Sequence, residues 1–187
     1  GHAPENTLAA AALGFAVRAD LWELDANYTK DGKLVVMHDD TLVRTTDVEA
    51  VFPGRPAYRV CDFTLDEIKS LDAGSWYAGR DPFGRVAAGE LDADTLAGFN
   101  GLTVPTLEEA LLFTKDNGWY VNVEIKDHAR LIGHETVTKD VLDLIRRLDM
   151  TDRVIISSFQ HRYLEECHVL CPEMATGALV EHLRPED

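Results

Sequence analysis

Trp119-Tyr120-Val121-Asn122-Val123-Glu124-Ile125-Lys126 is the stretch on which the fold of this chain turns. Side chains two apart in a strand share a face. Val121, Val123 and Ile125 therefore make one apolar face suited to packing under helices, while Asn122, Glu124 and Lys126 share the other. Far upstream, Glu23-Leu24-Asp25 repeats the pattern inside the strand-like run Leu21 to Tyr28. Three carboxylates, an amide and an ammonium on apolar strands are costly unless they meet a cation and an anion. One reading is a divalent-metal site that holds a phosphate. The other is a structural network pairing these acids with Lys126 and nearby arginines. Spacing alone leaves both open.

The elements around these strands alternate. A helix is expected over Pro4–Val17, a strand over Leu21–Tyr28, a turn at Lys30–Lys33 and a short strand Leu34–His38 that closes a hairpin. Thr64, with Glu67 three residues on, opens a helix to Leu71 through a capping box. The glycine-rich run Asp72–Gly101 reads mainly as loop. Beyond it follow a helix Thr106–Asn117 closed by Gly118, and the strand already quoted. Val137, Val141, Leu144, Ile145 and Leu148 line one face of another helix. A strand Val154–Phe159, a short helix Arg162–Val169 and a strand Ala175–Val180 complete the order. Strand and helix in alternation predict a parallel α/β sheet or barrel. In such folds chemistry gathers at the carboxyl ends of the strands. Glu124 and Lys126 lie at that end, whereas Glu23 and Asp25 look less terminal on theirs.

Composition narrows the partners. At 187 residues, 45% apolar and 27% charged, the chain can bury one sizeable core. A formal net charge of −15 with no basic cluster argues against nucleic acid and against an anionic membrane surface. No run approaches the length of a transmembrane helix. Cys61, Cys167 and Cys171 form no even disulfide framework and point to a reducing compartment such as the cytoplasm. A signal peptide upstream of the sequence would change that to periplasmic or secreted.

Further side chains carry chemistry. Hard oxygen donors without a histidine triad favour Mg²⁺ or Ca²⁺ over Zn²⁺. His38 ends the hairpin, sharing a strand face with Val36, beside Asp39 and Asp40. It reads either as a structural histidine or as a general acid kept protonated by the carboxylates. Trp76, Tyr77 and Phe83 pack the glycine-rich segment or wall the site, and Phe159 is the better candidate for that wall. His161, Cys167, His168 and Cys171 lack a recognised zinc spacing. Glu5 and Asn6 open the first helix and serve to fix its loop.

The runs His2-Ala3-Pro4-Glu5-Asn6-Thr7, Glu23-Leu24-Asp25, Val36-Met37-His38-Asp39 and Leu71-Asp72-Ala73-Gly74-Ser75-Trp76 occur in one order with Val104-Pro105-Thr106-Leu107-Glu108-Glu109, Val123-Glu124-Ile125-Lys126 and Ile156-Ser157-Ser158-Phe159. In that order the chain resembles the glycerophosphodiester phosphodiesterases. The resemblance implies a TIM (β/α)8 barrel that hydrolyses glycerophosphodiesters to glycerol 3-phosphate and an alcohol with a bound divalent cation. It implies Glu23, Asp25 and Glu124 as metal ligands, His38 as one of two catalytic histidines, and Lys126 as a phosphate contact. Phe159 would line the wall against the glycerol carbons.

The family pattern also carries a His-Arg-Gly run just upstream of the Pro-Glu-Asn-Thr motif, and His2 lies too close to Pro4 to be its histidine. On this pattern residues 1–187 form one catalytic barrel domain, incomplete at both ends and covering about strands two to five. Residues 39–103 would hold a glycine-rich inserted segment near the site. Two other functions belong beside this one. A phospholipase D-like or lyase activity on lysophospholipids would need an apolar surface near the site. A non-catalytic barrel binding a phosphorylated ligand would need Lys126 but not the acids and His38 together.

Overall fold

A computed structural model describes residues 1–128 and 135–181. In chain order the elements are α1 (Leu8–Ala16), β1 (Trp22–Tyr28), β2 (Leu34–Val36), α2 (Val48–Val51), a 3-10 turn (Val60–Asp62), α3 (Leu65–Lys69), α4 (Trp76–Arg80), α5 (Ala93–Ala97), α6 (Leu107–Asp116), β3 (Val121–Ile125), α7 (Val137–Arg147), β4 (Val154–Ser158), α8 (His161–Leu170) and β5 (Ala175–Ala178). The five strands form one sheet in the order β2-β1-β3-β4-β5. Among the described strands only the β1–β2 pair is antiparallel; β1, β3, β4 and β5 run parallel.

The alternation in β3 sorts the two faces. Leu24, Ala26, Val121, Val123, Ile125, Val154 and Ile156 join one buried cluster with Leu107 and Leu111 of α6, Val141 and Ile145 of α7, and Tyr163 and Cys167 of α8. Burying each such aliphatic side chain fully contributes about 1.5–3 kcal/mol before chain entropy is counted. The periodic residues of α7 face this cluster as expected, with Leu148 packed at its edge. Cys167 and Cys171 are fully buried here, so their thiols are core atoms. Burial pushes the Cys167 thiol up to about 12. That leaves the soft-metal arrangement without a thiolate.

Between β2 and α6 the chain makes a long excursion with its own packing. Val35, Met37, Leu42, Phe63, Ile68, Leu71 and Val104 form a second cluster, and Ala3, Tyr77 and Phe99 a small third one. The base of the excursion is closed where Val36 N–H donates to Pro105 O at 2.8 Å, beside a bridge between Val35 and Thr106. A second closure lies further out. Ala73 N–H donates to Leu102 O at 2.6 Å, and the Asp72 carboxylate accepts from the backbone of Gly74, Ser75 and Gly101. A Cβ on Gly74 would sit 1.9 Å from Phe99 O, so only glycine fits that crossing.

Several boundaries differ from the sequence expectation. α1 starts at Leu8, because the Thr7 hydroxyl caps it by accepting from Ala10 N–H, and Pro4 stays in the preceding loop. The run Asp72–Gly101 contains α4 and α5, five residues each, too short for periodicity to announce. Tyr77 is buried against Phe99 and Trp76, which makes it packing for the excursion, while Phe83 is exposed. β2 ends at Val36, two residues before His38.

Candidate active site

Parallel pairing of β1 and β3 sets Glu23 level with Asn122 and Asp25 level with Glu124. β1 overruns that level only because it continues into the hairpin, so Asp25 is as terminal as Glu124 on the shared ladder. Glu23, Asp25 and Glu124 each offer a carboxylate oxygen, and the three oxygens lie within 4.8 Å of one another. Asp25 is 3% exposed and Glu124 9%, whereas Glu23 sits on the open side. Lys126, just past the end of β3, donates to Glu124 Oε1 at 3.0 Å. Its Nζ also stands 3.5 Å from Asp25 Oδ1, as an ion pair without hydrogen-bond geometry.

The electrostatics follow from this crowding. Burial, then the charges of Asp25 and Glu124, raise the Glu23 carboxyl from 4.5 to about 7, against the opposing charges of Lys126 and His38. Burial pulls the Lys126 ammonium down, but its bond to Glu124 and the charge of Asp25 outweigh that and raise it. One ammonium thus faces three acids. Asp25 Oδ1 is buried without a hydrogen bond, as are Asn122 Oδ1 and, on the neighbouring strand level with Glu124, Ser157 Oγ. Buried polar atoms in this state are costly, and a hard cation is the partner that carboxylate oxygens at this spacing accept. The donor set therefore fits a divalent metal.

Asn6 completes the grip on Asp25. Its Nδ2 donates to Asp25 Oδ2 at 2.8 Å, and its Oδ1 accepts from Asp25 N–H at 3.4 Å. It does this from a left-handed backbone, φ 54°, a conformation asparagine tolerates better than most residues. Asn6 thus fixes more than its own loop, and nothing in its local sequence announces a partner 19 residues away.

His38 approaches from the hairpin. Met37 N–H donates to Asp25 O at 2.9 Å, which ties this segment to the acid-bearing strand β1. Beyond β2 the strand alternation no longer applies: Val36 packs in the main core, while His38 is half exposed and its charge is felt by Glu23. The expectation that the two share a face does not hold. His38 Nδ1 lies 2.7 Å from Asp39 Oδ1, and Arg44 holds Asp39 from the other side. Arg44 also takes Glu5, with Nη1 donating to Oε2 at 2.8 Å and Nη2 to Oε1 at 2.5 Å, which ties the loop before α1 to the histidine segment. His2 instead meets Glu90 of the excursion at 2.8 Å.

Beside the acids lies a cavity of about 540 Å³ whose lining includes Glu124, Lys126, Phe159, Asn27, Asp40 and Arg59. Phe159, one residue past β4, is 49% exposed. The structure therefore brings Phe159 to the same cavity as Lys126 and Glu124. Glu23, Asp25 and His38 lie outside its lining.

Residues 1–185 match the model of the glycerophosphoryl diester phosphodiesterase family. The chain is 36% identical over 180 residues to a glycerophosphodiester phosphodiesterase of Caldanaerobacter subterraneus, covering 96% of this chain and 63% of that protein. It is 35% identical over 187 residues to one from Bacillus subtilis, covering 97% of this chain and 56% of that protein. Among solved structures, the glycerophosphodiester phosphodiesterase of Agrobacterium tumefaciens superposes with a TM-score of 0.69 at 30% identity, over 93% of this chain and 60% of that one. A phosphodiesterase of Oleispira antarctica, solved with the product sn-glycerol-3-phosphate, superposes with a TM-score of 0.75 at 29% identity, over 99% of this chain and 64% of that one. The chain thus spans about three-fifths of the length of these relatives. Among the described residues, no helix is long and apolar enough to cross a membrane.

Proposed function

The chain belongs to the glycerophosphoryl diester phosphodiesterase family, whose fold is the TIM barrel, and on that premise we propose that its protein hydrolyses glycerophosphodiesters to glycerol 3-phosphate and an alcohol. The observation that carries this reading is the convergence of Glu23, Asp25 and Glu124 beside Lys126 at one level of a parallel sheet.

Glu23, Asp25 and Glu124 would hold a divalent cation, Mg²⁺ or Ca²⁺, with Asn6 orienting Asp25. A cation there supplies Lewis-acid stabilisation of the charge that grows on the phosphoryl oxygens. Lys126 adds a second positive charge for a non-bridging oxygen. His38 donates a proton to the departing alkoxide. The glycerol 2-hydroxyl serves by proximity as the internal nucleophile. Its proton passes to the second histidine of the family pattern as the alcohol leaves with the proton from His38, and water then opens the cyclic phosphate. Phe159 covers the glycerol carbons. Residues 39–103, which carry His38's partners, act as an insertion within one barrel domain.

Assays on the full-length protein with glycerophosphocholine and glycerophosphoethanolamine test this. Release of glycerol 3-phosphate is expected, with loss in chelator and recovery on adding Mg²⁺ or Ca²⁺. Glu124→Ala should lower turnover at least about 100-fold. Turnover indifferent to both chelator and Glu124→Ala would overturn the metal assignment.

A further inference from the structure

Arg44 makes four charge-assisted hydrogen bonds to two carboxylates. Its Nε donates to Asp39 Oδ2 at 2.7 Å and its Nη2 to Asp39 Oδ1 at 2.8 Å. On the other side, Nη1 donates to Glu5 Oε2 at 2.8 Å and Nη2 to Glu5 Oε1 at 2.5 Å. The guanidinium is the one side chain able to grip two carboxylates in forked fashion at once. Asp39 in turn accepts from His38 Nδ1 at 2.7 Å, and Glu5 precedes Asn6, which grips Asp25.

We propose that Arg44 is a positioning residue that locks the imidazole of His38 in one tautomer by clamping Asp39. Asp39 is ionised at any working pH and can only accept. What Arg44 adds is position, because its Nε and Nη2 hold both Asp39 oxygens and keep Oδ1 2.7 Å from His38 Nδ1. Asp39 loses that placement when the clamp is removed. A carboxylate cannot donate, so His38 Nδ1 carries the hydrogen. Nε2 is then the nitrogen left to give a proton as imidazolium, and it holds the lone pair once the proton has gone. No ring flip is needed between donation and the reverse transfer. A free imidazole in water favours the opposite tautomer, so the clamp has something to oppose. All four participants are part-exposed, a setting in which ion pairs add little to global stability. Geometry at His38 is what they control.

This proposal rests on the hydrolase reading for its consequence but not for its primary test. ¹⁵N NMR of the His38 ring, recorded well above its titration, should show an Nδ1–H tautomer in the parent protein. Arg44→Ala and Asp39→Asn should each shift it toward Nε2–H, with little change in melting temperature. In turnover, Arg44→Ala should lower kcat roughly 10- to 100-fold with KM nearly unchanged. Added guanidinium should restore part of the loss, and Arg44→Lys should restore less, because an ammonium cannot fork to both carboxylates. If Arg44→Ala fails to fold, Arg44→Lys and Asp39→Asn carry the same NMR test. An unchanged tautomer in the folded variants overturns the proposal. A shifted tautomer in a protein without phosphodiesterase activity leaves the clamp standing and removes the hydrolase reading alone.

Discussion

The carboxylate side and the histidine side of this site are built by different physics. Glu23, Asp25 and Glu124 stand on adjacent strands whose backbone register fixes their spacing, with Leu24, Val123 and Ile125 fully buried beneath them. Moving one acid relative to another would mean slipping a ladder, and a one-residue slip would exchange acids for core residues. His38 stands past the end of a three-residue strand, held by Asp39 and Arg44 in a part-exposed chain of ion pairs. The first arrangement is rigid because the core is rigid; the second is only as firm as its charges. On the proposed function the difference is apt: carboxylates that share a cation must be preorganised against their own repulsion, whereas a proton donor must exchange its proton in contact with solvent.

The sharpest way to break this contrast is His38→Ala. Turnover should fall about 10²- to 10⁴-fold, while calorimetric binding of Mg²⁺ or Ca²⁺ stays intact. Loss of metal binding in that variant would mean the two sides are one unit.

A second experiment uses the charge on Glu23. Its folded pKa of about 7 exceeds its ordinary 4.5, so ionised Glu23 opposes folding in the metal-free protein. That opposition grows as pH rises from 4.5 and is complete above about 7. Glu23→Gln should therefore melt higher than the parent on the alkaline side of about 7 without metal, with the advantage fading toward 4.5. Excess divalent cation should reverse the ranking, since it stabilises only the form that binds it. A parent that melts higher than Glu23→Gln in chelator at alkaline pH would sink the crowding argument.

The smallest expected effect lies under the carboxylate side. Thr106 and Glu109 close a capping box on α6, whose Leu107 and Leu111 pack beneath the sheet. Thr106→Ala should cost about 1 kcal/mol in denaturant unfolding and leave kcat unchanged. A change in kcat without a change in stability would show that α6 reaches the site more directly than its packing implies.

The contrast also explains what could be read in advance. Glu23, Asp25, Glu124 and Lys126 were legible because period-two alternation is local and parallel pairing converts it into a shared face. The capping box at Thr64 and Glu67 and the apolar face of α7 were legible for the same reason. Arg44 was not, because its partners lie 5 and 39 residues away, and no local periodicity ties an arginine in a loop to Asp39 and Glu5. Asn6 on Asp25 was hidden in the same way. The orientation of His38 escaped because the strand rule stops at Val36.

The two closures of the long excursion have a consequence for how such a protein can vary. Val36 with Pro105, and Ala73 with Leu102, pin the chain at two successive necks. Whatever is looped out beyond the outer neck is tethered at both ends to fixed backbone. Lengthening a loop so tethered costs only about 0.6 kcal/mol per doubling. The exposed turns between α4 and α5 can therefore change in length while the acids on β1 and β3 keep their spacing. The conditions are that Gly74 remains at the crossing and that Tyr77 and Phe99 remain to pack Ala3 in the loop that leads to Asn6.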